Sequence, residues 1–186
     1  LSEEERRTLL ELARQAIWAS VCQKRIPETP IALGALAESR GAFVTLHVNG
    51  KLRGCIGQVS PKTTLAETVV QCAILAAQED VRFPSVRPEE LSQLEIEISV
   101  LTDPVPVKPE EIEIGRHGLL VTLGGRRGLL LPQVASERGW DRQRFLEETC
   151  RKADLPPDAW KDPSGQLLAF TAEVFSEAGL RTNRTS

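Results

Sequence analysis

Leu9, Leu12, Ala13, Ala16 and Ile17 recur at the three- and four-residue spacing of one helix face, behind Ser2 and Glu5, which form a capping-box pair. This pattern predicts a helix from about Ser2 to Lys24, followed by a proline-bearing loop and a short helix around Ile31 to Ala37. Thr64 and Glu67 cap a second long helix, whose apolar face carries Leu65, Val69, Cys72, Ala73 and Ala76. The run Leu94 to Leu101 alternates instead, with Leu94, Ile96, Ile98 and Val100 to one side and Glu95, Glu97 and Ser99 to the other, which is the period of a half-buried strand.

Between these elements, FVTLHV and KLRGCIG flank Asn49-Gly50, a strong two-residue hairpin signal. A regular hairpin would set Val48 against Lys51, His47 against Leu52 and Val44 against Cys55. That register places Arg53 and Cys55 on one face and His47 and Thr45 on the other, so a Cys55–His47 dyad requires a bulge. Further on, DPVPVKP over 103–109 reads as an extended linker. Gly118 to Leu131 reads as a hairpin turning through Gly124–Arg127. A short helix starts at Pro132, a longer one runs from Trp140-Asp141 to about Ala153, and a last strand covers Leu167 to Glu177. Hairpins outnumber any βαβ pattern. The fold class is therefore α+β, a largely antiparallel sheet with β-hairpins and flanking helices and room for a smaller second lobe.

The 186 residues fit one domain, 1–186. Net charge is −3 with pI ≈ 5.6, which disfavours a nucleic-acid partner gripped by its phosphates. The longest unbroken apolar run, Cys72 to Ala77, is far short of a membrane span, and the polar start Leu-Ser-Glu-Glu-Glu is unlike a signal peptide. Cys22, Cys55, Cys72 and Cys150 are widely separated, with no CxxC pair, so the expectation is a reduced, cytoplasmic protein without a metal centre or cofactor.

The chemistry on offer is concentrated around Cys55. Arg53, two residues along, favours a thiolate if it lies close. Gly54 and Gly57 remove side chains beside the sulfur, which lets a ligand or a backbone approach. Equally, cysteine packs well as a small buried hydrophobe. Glu97 with Glu95 forms a carboxylate row that is either catalytic or simply solvated. His117, in a glycine-flanked loop, is the remaining histidine to serve as base. Asp80 and Arg82 form a local ion pair, or Arg82 joins Arg53 in an anion pocket.

GAFVTLHVNGKLRGCIG, followed by AAQEDVRFPSV, LEIEISVLTDP, IGRHGLLV and GLLLPQVA, resembles the AMME-chromosomal-region (AMMECR) domain family, whose prokaryotic members are called AmmeMemoRadiSam system protein A. The likeness runs from the first helix to Phe175, and LRGCIG is its signature. Val81 stands where the family commonly has proline in DPRF. The resemblance implies an α+β domain and carries Arg53, Gly54, Cys55, Gly57, Asp80, Arg82, Phe83, Glu97, Ser99, His117, Pro132 and Gln133 as motif positions. It also implies a Memo-like protein and a radical SAM protein as partners. Two roles are therefore expected. One is a component that handles a small anionic substrate or modified group through Cys55 and Arg53. The other is a non-catalytic binding or adaptor domain in which LRGCIG is structural.

Overall fold

The computed structural model describes residues 1–23, 25 and 32–182. The chain forms two compact units, Leu1–Val100 with Glu173–Ser186, and Leu101–Ala172.

In the first unit, α1 (Glu3–Trp18) begins at the Ser2/Glu5 capping box and ends in a π-helical turn at Ala19–Gln23. The predicted end at Lys24 and start at Ile31 lie outside the described residues, and a 3-10 turn follows at Gly34–Ala37. β1 (Ala42–Val48) and β2 (Lys51–Gln58) form the expected hairpin, with Asn49 and Gly50 at φ 52 and 72, the left-handed pair of a tight turn. α2 (Leu65–Gln78) starts at the Thr64/Glu67 capping box. β3 (Leu94–Leu101) is the alternating strand.

The predicted strand Leu167 to Glu177 is in fact two, β7 (Gln166–Phe170) and β8 (Ala172–Ser176), which serve different sheets. The strand order of the first sheet is β2-β1-β3-β8. Leu9, Ala13 and Ile17 of α1 and Leu65, Val69 and Ala73 of α2 bury themselves against Val44, Leu46, Ile96 and Ile98 on one face of this sheet. The other face bears no part of this apolar cluster.

The hairpin register differs from the regular one. His47 does oppose Leu52, but Leu46 then opposes Gly54, Thr45 opposes Cys55 and Val44 opposes Ile56, leaving Arg53 as the extra residue of a β-bulge. The cause is packing. Val44 and Leu46 are fully buried, so β1 cannot slip without exposing both, at a cost of about 1.5–3 kcal/mol each. A regular β2 would then drive Arg53 and Cys55 against α2. The bulge presents Gly54 and Ile56 inward instead, and Ile56 packs on the apolar core. At Gly54 a β-carbon would lie 2.2 Å from the Ala76 carbonyl oxygen, so only glycine admits the helix.

In the second unit, the short strand β4 (Val105–Pro106) lies within the predicted linker and pairs with β7 at the sheet edge. β5 (Gly118–Leu123) and β6 (Arg126–Leu130) form the second hairpin, turning at Gly124-Gly125. The strand order is β4-β7-β5-β6. α3 (Pro132–Glu137) and α4 (Arg142–Lys152) follow as expected, and Phe145 and Leu146 bury against Leu119 and Ala169. A further helix, α5 (Glu177–Thr182), follows β8. Among the described residues, no helix is long and apolar enough to cross a membrane.

Candidate functional site

The bulge decides which side chains meet. With Cys55 opposite Thr45, and Thr45 opposite Glu97, these three form one rung across β2, β1 and β3 on the face away from α1 and α2. The rung on one side is Leu52–His47–Glu95, and on the other Gly57–Phe43–Ser99. His47 and Cys55 therefore share a face as diagonal neighbours, within reach of a long or aromatic side chain. The regular register had put them on opposite faces.

The Thr45 hydroxyl donates to the Cys55 sulfur at 3.3 Å. Cys55, Thr45, His47, Glu95 and Glu97 are all half-buried. Among the described residues, no hydrogen bond or ion pair engages the side chains of His47, Glu95 or Glu97. An unpaired imidazole on β1 and two unpaired carboxylates on β3 thus share the sheet face of a thiol that already has one donor.

β2 is an edge strand, and its free edge at Cys55 is occupied. The Cys55 N–H donates to Asp80 Oδ2 at 2.9 Å, and the Cys55 carbonyl accepts from Arg82 Nη2 at 3.0 Å. Asp80 and Arg82 are themselves joined by three contacts, Arg82 Nε to Oδ1 at 2.9 Å, Nη2 to Oδ2 at 2.6 Å and the Arg82 backbone N–H to Oδ1 at 3.2 Å. Asp80 is buried, and the Arg82 guanidinium holds its carboxyl well below the usual carboxylate range. In turn, Asp80 raises the Arg82 guanidinium further. Asp80 and Arg82 thus act together like a missing neighbour strand, fixing the backbone of the cysteine.

Arg53 is tied down separately. Its Nε and Nη2 donate to the two Glu90 carboxylate oxygens at 2.8 and 3.1 Å, and Nη1 and Nη2 donate to the carbonyls of Pro84 and Ser85. This fork draws Glu90 down to about 2. The guanidinium fastens the 84–90 segment to the sheet and is not directed at the sulfur. Both arginines anticipated for an anion pocket thus have carboxylates of their own. The two glycines are also engaged: a β-carbon at Gly57 would lie 2.2 Å from the Phe43 ring, which roofs it.

His117 belongs to the second unit. Its Nδ1 accepts from the Glu113 N–H at 3.1 Å, while the His117 backbone N–H donates to the Glu113 carbonyl. Of the anticipated residues, then, Cys55, Asp80 and Arg82 are in direct contact, Glu97 is on the same rung as Cys55, and Arg53 supports the strand from beside it. The regular register missed His47 and Thr45. A glycine within a strand pattern is a signal that points to a bulge, and Gly54 is one of the two glycines in β2. Among the described residues, no group of three or more His, Cys, Asp and Glu side chains is arranged to hold a metal ion.

Comparison with known proteins finds relatives that match nearly the whole chain. A model of the AMMECR1 family matches residues 10–175. A protein of Methanothermobacter thermautotrophicus is 45% identical over 187 residues, covering 96% of this chain and 97% of the relative. One of Thermococcus gammatolerans is 48% identical over 181 residues, covering 91% and 88%. The crystal structure of the uncharacterized protein PH0010 from Pyrococcus horikoshii superposes with a TM-score of 0.85 at 43% identity, covering 94% of this chain and 92% of that one.

Proposed function

The chain belongs to the AMMECR1 family, and on that premise we propose that it is the thiol-bearing component of a group-transfer reaction, with Cys55 as the reacting group and His47 as its proton acceptor. The observation that carries this reading is the bulge, which sets the Cys55 sulfur beside the Thr45 hydroxyl at 3.3 Å and on the face of an unpaired imidazole. A thiol is activated when an adjacent base takes its proton and a donor steadies the sulfur anion. In the step envisaged, the proton passes to His47 and the sulfur forms a bond to an electrophilic carbon. The bond from that carbon to its leaving group breaks, and the leaving group departs with the electron pair. Asp80 and Arg82 are positioning residues that hold the Cys55 backbone. Glu95 and Glu97 make the face acidic, so it favours a neutral or cationic substrate over a small anionic one. The Memo-like and radical SAM proteins would supply or consume the transferred group.

The test uses a Cys22→Ser protein treated with iodoacetamide at pH 7, with alkylation of each cysteine followed by peptide mass spectrometry. Cys55 reacts first, and His47→Gln slows it by about tenfold, whereas His117→Gln leaves the rate unchanged. A Cys55 that stays unlabelled, or that labels equally fast without His47, overturns the reading.

A second reading, a binding or adaptor domain, is favoured by one observation. Gly54 and Gly57 are taken up in packing and Arg53 in an ion pair, as a purely structural LRGCIG motif requires. Under it, Cys55→Ala leaves binding to the Memo-like or radical SAM protein, and any activity of the assembly, unchanged.

A further inference from the structure

Glu95 and Glu97 stand two residues apart on the outer face of β3, both half-buried, and neither meets a cation or a hydrogen-bond donor among the described residues. Other carboxylates of the same unit that are at most partly exposed do meet one. Asp80 is paired with Arg82, Glu90 with Arg53, Glu173 with Arg6 and Glu177 with Arg14. Partial burial costs a carboxylate some of its hydration, and two on one strand face also repel each other. A bound cation offsets both penalties.

Ser99 extends the row. It is only 2% exposed, lies on the same face two residues beyond Glu97, and its hydroxyl has no hydrogen-bond partner among the described residues. At that exposure little solvent reaches the hydroxyl, so a donor brought by a ligand would find it free. Beside two carboxylates it adds a further acceptor. Such an acceptor-rich row complements the ammonium of an amine or the fork of a guanidinium, groups that only donate.

We infer that Glu95, Glu97 and Ser99 form a subsite for an organic cation, the non-reacting end of the molecule whose electrophilic carbon meets Cys55. This rests on the reading of Cys55 given above. The sheet also sets the length of that molecule. β2 and β3 are two strand spacings apart, about 9.5 Å, with Thr45 between them. The cation and the reacting carbon are therefore about that far apart. A lysine-like or polyamine-like arm spans this distance, and a compact amino acid does not.

The chain has two histidines, so the imidazole proton resonances of a His117→Gln protein report on His47 alone. In that background 1,4-diaminobutane is titrated, with inorganic phosphate as the anionic control. The diamine gives a saturable shift of the His47 resonances and phosphate gives none. Glu95→Gln and Glu97→Gln each weaken the diamine by about tenfold, and Cys55→Ser leaves its affinity intact.

As a second measurement, Cys55 in the Cys22→Ser protein is modified with 6-aminohexyl methanethiosulfonate, whose arm is long enough to cross from β2 to β3, and with its 6-sulfonatohexyl counterpart. The cationic reagent is favoured by about tenfold relative to free cysteine, and the preference disappears in the Glu95→Gln/Glu97→Gln protein. Absence of a saturable shift, or equal affinity in the double variant, overturns the cation subsite. Diamine binding with an inert Cys55 removes the thiol reading and leaves the subsite standing. An active Cys55–His47 pair without diamine binding does the reverse.

Discussion

Asp80 accepts the backbone N–H of Cys55 at 2.9 Å, although the two residues lie on different elements, one in a turn after α2 and the other in an edge strand. The contact makes a buried carboxylate the substitute for a strand neighbour. Asp80→Asn keeps the shape and removes the charge. It is expected to cost about 1–3 kcal/mol, as for a hydrogen bond to a charged group that is weakened inside a protein. Hydrogen exchange locates the effect: the Cys55 amide gains more in rate than the central-strand amide of Ile98. Equal changes at both amides would show that Asp80 supports the fold globally and not this edge.

The Arg53–Glu90 fork has a pH signature. Glu90 falls from 4.5 to about 2 in the folded protein, so its contribution is complete above pH 4.5 and is lost as the pH drops toward 2. Partial exposure tempers the magnitude, giving about 1–3 kcal/mol over that window. Urea unfolding of the wild type at successive pH values shows the loss, and Glu90→Gln flattens it. An identical slope in the variant would assign the acid lability elsewhere.

Gly54 and Gly57 respond differently to alanine. At Gly54 the obstacle is the backbone of α2, 2.2 Å from the added carbon, and it cannot turn away. Overpacking of this kind costs about 1–3 kcal/mol or more. At Gly57 the obstacle is the Phe43 side chain, which can rotate, so the loss is smaller and Phe43→Leu restores most of it. Denaturant midpoints of the three variants check the order.

Thiol accessibility divides the cysteines. Burial pushes the Cys72 thiol up to about 12 and also raises Cys150, while Cys22 is exposed and Cys55 half-buried. An aromatic disulfide reagent at pH 8 therefore titrates Cys22 and Cys55 in the native protein, and Cys72 and Cys150 only after denaturation. Rapid reaction of Cys72 in the native protein would contradict its place between α2 and the sheet.

The long elements were plain in the sequence because each carries its own signal. The Ser2/Glu5 and Thr64/Glu67 capping boxes, the Asn49-Gly50 turn and the alternation of 94–101 all act within a few residues. What stayed hidden depends on contacts between distant elements. The break at Thr171 that sends β7 and β8 to different sheets has no strong local marker, since the residues on both sides suit a strand. The bulge at Arg53 follows from α2 lying against Gly54, and no hairpin rule includes a helix that begins at Leu65. The sequence therefore named Cys55, Asp80, Arg82 and Glu97, yet the regular register set His47 on the opposite face from the thiol.

The extra residue at Arg53 turns chain length into chemistry. Between the Asn49-Gly50 turn and the cysteine, inside and outside alternate at every position except the bulge at Arg53. Losing or gaining a single residue there while the bulge is kept would bury the thiol and send its neighbours to the opposite side. A change of two would leave every side chain facing as before. The interval from turn to cysteine therefore works as a parity check. Relatives that differ in it by an even number can retain the same surface, and those that differ by an odd number must gain or lose a bulge to do so.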